Sequence, residues 1–172
     1  MTKAVFFDRD GVINRSIVRA GRPYPPDDAR QFEWMDGVHE ALPLLRTRGY
    51  LLFVFTNQPD VARGTQSRAV VDAFHARIER ELPFTRIYTC FHDDADGCDC
   101  RKPKPGMIFR GRDEYGIDLA ASWVVGDRWR DIDAGRAAGC KTIYIDHAYT
   151  ETPPRDYDHK IKHMSELLTW IT

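Results

Sequence analysis

The chain has 172 residues, 42% of them hydrophobic and 30% charged, with a net charge of −1. That length allows one full hydrophobic core, and the near-neutral charge leaves no electrostatic footprint for nucleic acid or an anionic membrane, so any anion-binding surface must be local. No apolar run approaches a membrane span and none near the start reads as a signal peptide, so a cytoplasmic chain is expected, whose four cysteines are thiols or metal ligands rather than disulfides.

The first predicted strand, residues 3–8, is an apolar run that ends abruptly in Asp8-Arg9-Asp10-Gly11. Alternate residues of a strand point to the same side, so Asp8 and Asp10 can enter one crevice while Gly11 lets the chain turn away. Two close carboxylates repel each other unless a cation shares them. A divalent-metal site, an acid/base pair and a plain strand-ending turn are all open at this point. Segment 14–34, rich in Arg and Pro, reads as a loop. A helix over 37–48 is predicted with Asp36 as its cap and Gly49 as its stop, kinked or shortened by Pro43. Strand 50–56 delivers Thr56 and Asn57. Helix 67–82 has Ser67 as cap and Val70, Phe74 and Ile78 on one face. Strand 86–91 follows, then helix 106–115 between Pro105 and Gly116. Strand 122–126 ends at Asp127, with Asp131 four residues on. Helix 131–138, strand 141–146 and, beyond Pro153-Pro154, helix 165–171 complete the chain.

Alternating strands and helices argue for an α/β fold with a parallel sheet covered on both faces, in a single domain over 1–172. Ligands bind such sheets at the carboxyl ends of the strands, where Asp8, Asp10, Thr56, Asn57, Asp127 and Asp131 all fall. A third carboxylate turns a repelling pair into an oxygen cage for Mg²⁺. In Arg101-Lys102-Pro103-Lys104-Pro105 the prolines stiffen the backbone, so a lysine there can reach the crevice and neutralise an anion; a solvated charge run is the bland alternative. Cys90, His92, Cys98 and Cys100 form a complete Cys₃His set for a structural Zn²⁺. Zinc there would fix the adjoining Arg101 and Lys102. Asp93, Asp94, Asp96 and Asp99 are expected to be solvated, and Cys140 to be a small core residue.

Taken in order, Asp8-Arg9-Asp10-Gly11, Thr56-Asn57-Gln58, Lys102-Pro103 and Gly126-Asp127 with Asp131 resemble the four motifs of the haloacid dehalogenase-like (HAD) phosphatases. The resemblance implies a Rossmann-like sheet and a Mg²⁺-dependent phosphohydrolase that works through an aspartyl-phosphate. Carried over, Asp8 is the nucleophile and Asp10 the general acid and base, while Thr56 and Lys102 hold the transferring phosphoryl group. Asp127 binds Mg²⁺ with Asp8 and the main-chain carbonyl of Asp10, supported by Asp131.

The Cys-x-His…Cys-x-Cys-Arg-Lys-Pro arrangement is similar to the zinc-loop branch that contains heptose-bisphosphate and histidinol-phosphate phosphatases. Ala62-Arg63-Gly64 and Pro105-Gly106-Met107 lean toward the heptose side. Two positions depart from it: Pro59-Asp60 replaces the usual Ser-Gly, and Arg128 the usual lysine. No long insertion leaves room for a cap domain, so loops must shape the pocket. Arg22, Asn57, Arg101 and Arg128 are the candidate substrate contacts, with Arg15, Arg19 and Tyr24 as further loop candidates. A phosphorylated small molecule, best a sugar bisphosphate, is the expected partner of a monomer, with no nucleic acid and no membrane. A histidinol-phosphate phosphatase and a receiver-type phosphoaspartate signalling domain are the competing readings.

Overall fold

A computed structural model describes residues 2–172. Its centre is a six-stranded, wholly parallel sheet. The five predicted strands are β1 (Lys3–Phe7), β4 (Tyr50–Asn57), β5 (Arg86–Cys90), β6 (Trp123–Gly126) and β7 (Lys141–Ile145). A sixth, β8 (His159–Ile161), closes one edge, giving the spatial order β5-β4-β1-β6-β7-β8. The first strand is therefore central, paired with β4 from Lys3↔Tyr50 to Phe7↔Val54 and with β6 from Val5↔Trp123 to Phe7↔Val125.

Period-two alternation divides β1 between two cores. Val5 and Phe7 join a cluster with Val38, Leu42 and Leu45 of helix α1 (Val38–Thr47) and Phe74 and Ile78 of helix α3 (Arg68–Glu81). Ala4 and Phe6 face the other way, onto Met107 and Ile108 of α4 (Gly106–Tyr115) and Ala134 and Ala138 of α5 (Trp129–Ala138). The second layer lies very close to the sheet. A Cβ added at Gly111 would sit 2.9 Å from the Phe6 ring, and one at Gly135 would sit 2.8 Å from Val124.

Several boundaries differ from the sequence expectation for identifiable reasons. α1 starts after Gly37 in a left-handed conformation (φ 85°), and Asp36 is not its cap but pairs with Arg15 at 2.7 Å. The helix runs past Pro43 to Thr47, because burial of Val38, Ala41, Leu42 and Leu45 outweighs the missing hydrogen bond. Ser67 precedes α3 without a side-chain capping bond. α5 begins at Trp129 because Asp131 folds back to accept a hydrogen bond from the Arg128 amide at 3.0 Å. The last helix shrinks to α6 (Leu167–Trp170) behind a 3₁₀ turn.

Segment 14–34 is more than a loop: it contains the antiparallel hairpin β2 (Ile17–Arg19) and β3 (Arg22–Tyr24). Its two turn residues, Ala20 and Gly21, both have positive φ, the arrangement that matches strand twist in a tight hairpin. The tip is tied down by Thr150, whose amide donates to the Gly21 carbonyl at 2.9 Å. A short helix, α2 (Pro59–Ala62), follows β4. Among the described residues no separate cap domain stands over the sheet, and no helix is long and apolar enough to cross a membrane.

Candidate active site

The carboxyl ends of β1, β4 and β6 converge with the segment before α4. The Asp8 amide continues the sheet, donating to Val125 O at 3.0 Å, and its Oδ1 accepts from the Arg9 amide at 2.7 Å. Lys102 is inserted here almost without exposure (2%). Its Nζ lies 2.8 Å from Asp8 Oδ1 and 2.6 Å from Asp131 Oδ1, and it donates to the Phe55 carbonyl at 2.9 Å. Burial disfavours its charge, but Asp131 and Asp8 outweigh burial and push the ammonium above its ordinary value.

The backbone of Lys102 is gripped as firmly as its side chain. Asn57 Nδ2 donates to Lys102 O and Asn57 Oδ1 accepts from Lys102 N, both at 3.1 Å. Asn57 is thus a clamp for the lysine, a task that sequence reading, which gave it to substrate, did not anticipate.

Asp8, Asp127 and Asp131 each bring a carboxylate oxygen within 4.8 Å of the others. Both oxygens of Asp127 are buried without a hydrogen bond of good geometry, the Tyr149 hydroxyl beside them weakly favouring the charge. Burial, then Asp8 and Asp131, drive its acidity far down, raising its pKa well above the usual range. Burial and Asp131 lift Asp8 to about 6. Clustered, dehydrated carboxylates with unused lone pairs are a donor set for a hard divalent cation, and these residues fit Mg²⁺. A side chain at position 11 would collide with the Asp127 carboxylate, and Gly11 has φ 85°, so only glycine lets the chain turn here.

Asp10 occupies a different environment from its neighbour. It accepts hydrogen bonds from Arg9 Nη2 (2.9 Å to Oδ2), Asn14 Nδ2 (3.0 Å) and Gln58 Nε2 (2.8 Å). Burial opposes ionisation, but Arg9 and these donors prevail and hold the carboxyl below its ordinary range. Gln58 Nε2 also donates to Thr56 Oγ1 at 2.9 Å, which leaves the threonine proton free to point elsewhere.

Above these groups lies a cavity of about 330 Å³ lined by Asp8, Asp10, Thr56, Asn57, Lys102, Arg22, Arg101 and Arg128. Most arginines at its rim are already matched with acids. Arg128 forms a two-point pair with Glu151 (2.8 and 2.6 Å), Arg63 with Asp93 (2.6 and 2.6 Å), and Arg101 and Arg130 share Asp94 Oδ1 (2.7 and 3.3 Å). Arg22, on β3, has no carboxylate partner among the described residues. Arg15 pairs with Asp36 and Glu33, and Arg19 with Asp27 at 2.7 Å, so neither is a free cation. Tyr24 lines the cavity.

The thiol and imidazole group is assembled as the spacing required. Cys90 Sγ lies 3.6 Å from His92 Nδ1 and 3.7 Å from Cys98 Sγ; Cys100 Sγ lies 3.4 Å from His92 Nδ1 and 3.5 Å from Cys98 Sγ. A tetrahedral ion with arms of about 2.3 Å needs ligand separations of roughly 3.8 Å, so the set fits Zn²⁺. Asp93, Asp94 and Asp96 stay outside the ligand set, as expected, with the Asp94 side chain 61% exposed. From there Asp93 and Asp94 also fasten the loop to Arg63, Arg101 and Arg130, while Asp96 accepts from the Asp93 amide at 2.7 Å. Asp99 is fully exposed and Cys140 is buried.

Sequence reading quoted Arg9, Gln58 and Arg63 within motifs but gave them no role of their own, and it gave none to Asn14, Arg130 and Glu151. Arg9 offered one signal, a cation directly between two acids; Asn14 acts within the same turn as Asp10, and the others depend on contacts between distant segments.

A HAD-hydrolase-like family model matches residues 99–169. A D-glycero-alpha-D-manno-heptose-1,7-bisphosphate 7-phosphatase of Campylobacter jejuni is 34% identical over 175 residues, covering 99% of this chain and 96% of that protein. The chain belongs to this family of HAD-type sugar phosphatases. A D-glycero-beta-D-manno-heptose-1,7-bisphosphate 7-phosphatase of Pseudomonas aeruginosa is 39% identical over 151 residues, covering 82% of this chain and 79% of that protein. The D,D-heptose 1,7-bisphosphate phosphatase of B. bronchiseptica, solved with magnesium and phosphate, superposes with a TM-score of 0.82 at 27% identity, covering 98% and 99% of the two chains. Membership makes the chain a phosphomonoesterase and sets the receiver-type reading aside.

Proposed function

We propose that the chain removes the 7-phosphate from D-glycero-D-manno-heptose 1,7-bisphosphate, with the reacting phosphate between Asp8 and Lys102 and the distal phosphate toward Arg22. The observation that carries this reading is the buried Asp127 beside the Asp8–Lys102–Asp131 ion-pair cluster, in a chain that matches a heptose-bisphosphatase almost from end to end.

Asp8 attacks phosphorus, forming an Asp8 O–P bond as the P–O bond to the sugar breaks. Asp10 gives a proton to the departing sugar oxygen. The resting Asp10 is ionised; as the negative charge of an arriving phosphate raises its proton affinity, it takes a proton from solvent, and this is the proton that it passes on. In the second half Asp10 takes a proton from water, which attacks the aspartyl-phosphate and releases inorganic phosphate. Lys102 and the free proton of Thr56 hold the equatorial phosphoryl oxygens. Mg²⁺, held by Asp8, Asp127 and the Asp10 carbonyl, would supply the remaining charge neutralisation on the phosphoryl group. Asp131, with both oxygens engaged by Lys102 and the Arg128 amide, orients the lysine. Cys90, His92, Cys98 and Cys100 would hold Zn²⁺ with four protein ligands, as a structural ion.

The test is phosphate release with Mg²⁺ from both anomers of the heptose bisphosphate, fructose 1,6-bisphosphate and histidinol phosphate. One equivalent of phosphate should leave a heptose bisphosphate with the highest kcat/KM. Faster turnover of histidinol phosphate would overturn the assignment.

A further inference from the structure

The Arg9 guanidinium is completely buried (0% exposed), and all three of its nitrogens are committed. Nε and Nη2 reach Asp10 Oδ1 at 3.2 and 3.0 Å, and Nη2 also reaches Oδ2 at 2.9 Å. Nη1 lies 3.2 Å from His75 Nε2, and the Arg9 Cζ packs 5.5 Å from the centre of the Phe74 ring. An arginine nitrogen only donates, so the imidazole nitrogen must accept and the ring must be neutral with its proton on Nδ1. Burial and Arg9 hold His75 down at about 4, against weaker upward pulls from Asp10 and Asp72. His75 is carried on α3, which is anchored in the core by Val71, Phe74 and Ile78.

We infer that His75 is a positioning residue for Asp10, acting through the buried guanidinium of Arg9; this rests on the acid and base role given to Asp10 above. Asp10 changes protonation twice per turnover. A guanidinium tethered only to Asp10 is free to swing toward the incoming phosphate, whose charge competes for it. The His75 bond on the opposite nitrogen fixes the fork, so the carboxyl returns to one orientation after each proton transfer.

The experiment compares His75→Phe, which keeps a ring but has no acceptor, with His75→Gln, which keeps an acceptor of similar reach. On the heptose bisphosphate, His75→Phe should lose about 10- to 100-fold in kcat, a part of the range that a general acid supplies, with KM within about twofold. His75→Gln should stay within about threefold of the parent.

A second substrate separates positioning from mere loosening. The phenolate of p-nitrophenyl phosphate leaves without needing a proton, but the aspartyl-phosphate that remains still needs Asp10 to activate water. His75→Phe should therefore release about one equivalent of nitrophenol per site in a burst larger than the parent's, then turn over slowly. Asp10→Asn is the reference. If Asp10→Asn gives the enlarged burst and His75→Phe instead loses rate equally on both substrates, the inference is wrong and the role of Asp10 stands. If Asp10→Asn gives no such difference, the reading of Asp10 itself is wrong. Failure of His75→Gln to recover the rate would remove the acceptor argument. Should His75→Phe not fold, His75→Leu takes its place under the same outcomes.

Discussion

Asp127 is a carboxylate stripped of water, with no hydrogen bond of good geometry and only a weak pull from the Tyr149 hydroxyl beside it. Such a group costs about 1–3 kcal/mol when no ion shares it. Asp127→Asn should therefore melt roughly 2–8 °C higher than the parent in EDTA, while losing both activity and the stabilisation that Mg²⁺ gives the parent by mass action. Differential scanning calorimetry with and without Mg²⁺ measures both. Arg22, the rim cation without an acid, should matter for affinity alone. Arg22→Ala is expected to raise KM for the bisphosphate about tenfold and leave kcat nearly intact, whereas a monophosphate should not distinguish the two proteins. His75 carries a signature in stability as well. Its pKa is lowered from 6.5 to about 4, so between those values the unfolded chain binds a proton that the native protein does not. Stability falls as pH drops through that window, by up to about 3 kcal/mol. Urea titrations should show a shallower acid-side loss in His75→Gln. At this scale the acids at strand ends were legible, because two-residue alternation fixes which side chains share a crevice. The Arg9–His75 contact was not, because it depends on how α3 lies against the sheet, nor was Gln58, which reaches Asp10 only because β4 ends beside β1.

Elements that repay close packing were the easiest to read. The buried strands and α3 and α4 fell where apolar runs and periodicity placed them. The hairpin β2–β3 escaped notice since three-residue strands carry too short a pattern, and one of them includes Pro23. The start of α5 moved because Asp131 caps from within the first turn rather than ahead of it. The contact of α5 with the sheet makes its own prediction. Gly135→Ala forces a methyl to within 2.8–2.9 Å of Val124 and Thr142, and should lower stability by about 1–3 kcal/mol. A drop in the urea midpoint at an unchanged slope is the expected result, with KM unaffected.

Across the whole molecule, the loop that carries the Cys₃His cluster links β5 to the segment of Arg101 and Lys102. The loop's acids in turn hold Arg63 from the β4 side and Arg130 from α5. Removing zinc with a strong chelator, Mg²⁺ being kept in excess, should lower the melting temperature and cut kcat severalfold, with recovery on adding Zn²⁺. Full activity in verified zinc-free protein would contradict this. Fold class and motif order could be read along the chain because each lies in consecutive residues. The network of acids that neutralises the cavity rim could not, since it joins five separate segments.

The fastening of the hairpin tip to Thr150 has a practical side. The tongue that carries Arg22 is fastened to the segment after β7, whose Glu151 lines the same cavity, and not to Asp8, Asp10 or Lys102. Randomising positions 17–24 while keeping Thr150 would vary the cargo admitted and leave the hydrolytic apparatus as it is, a compact starting library for redirecting this catalyst to other phosphorylated metabolites.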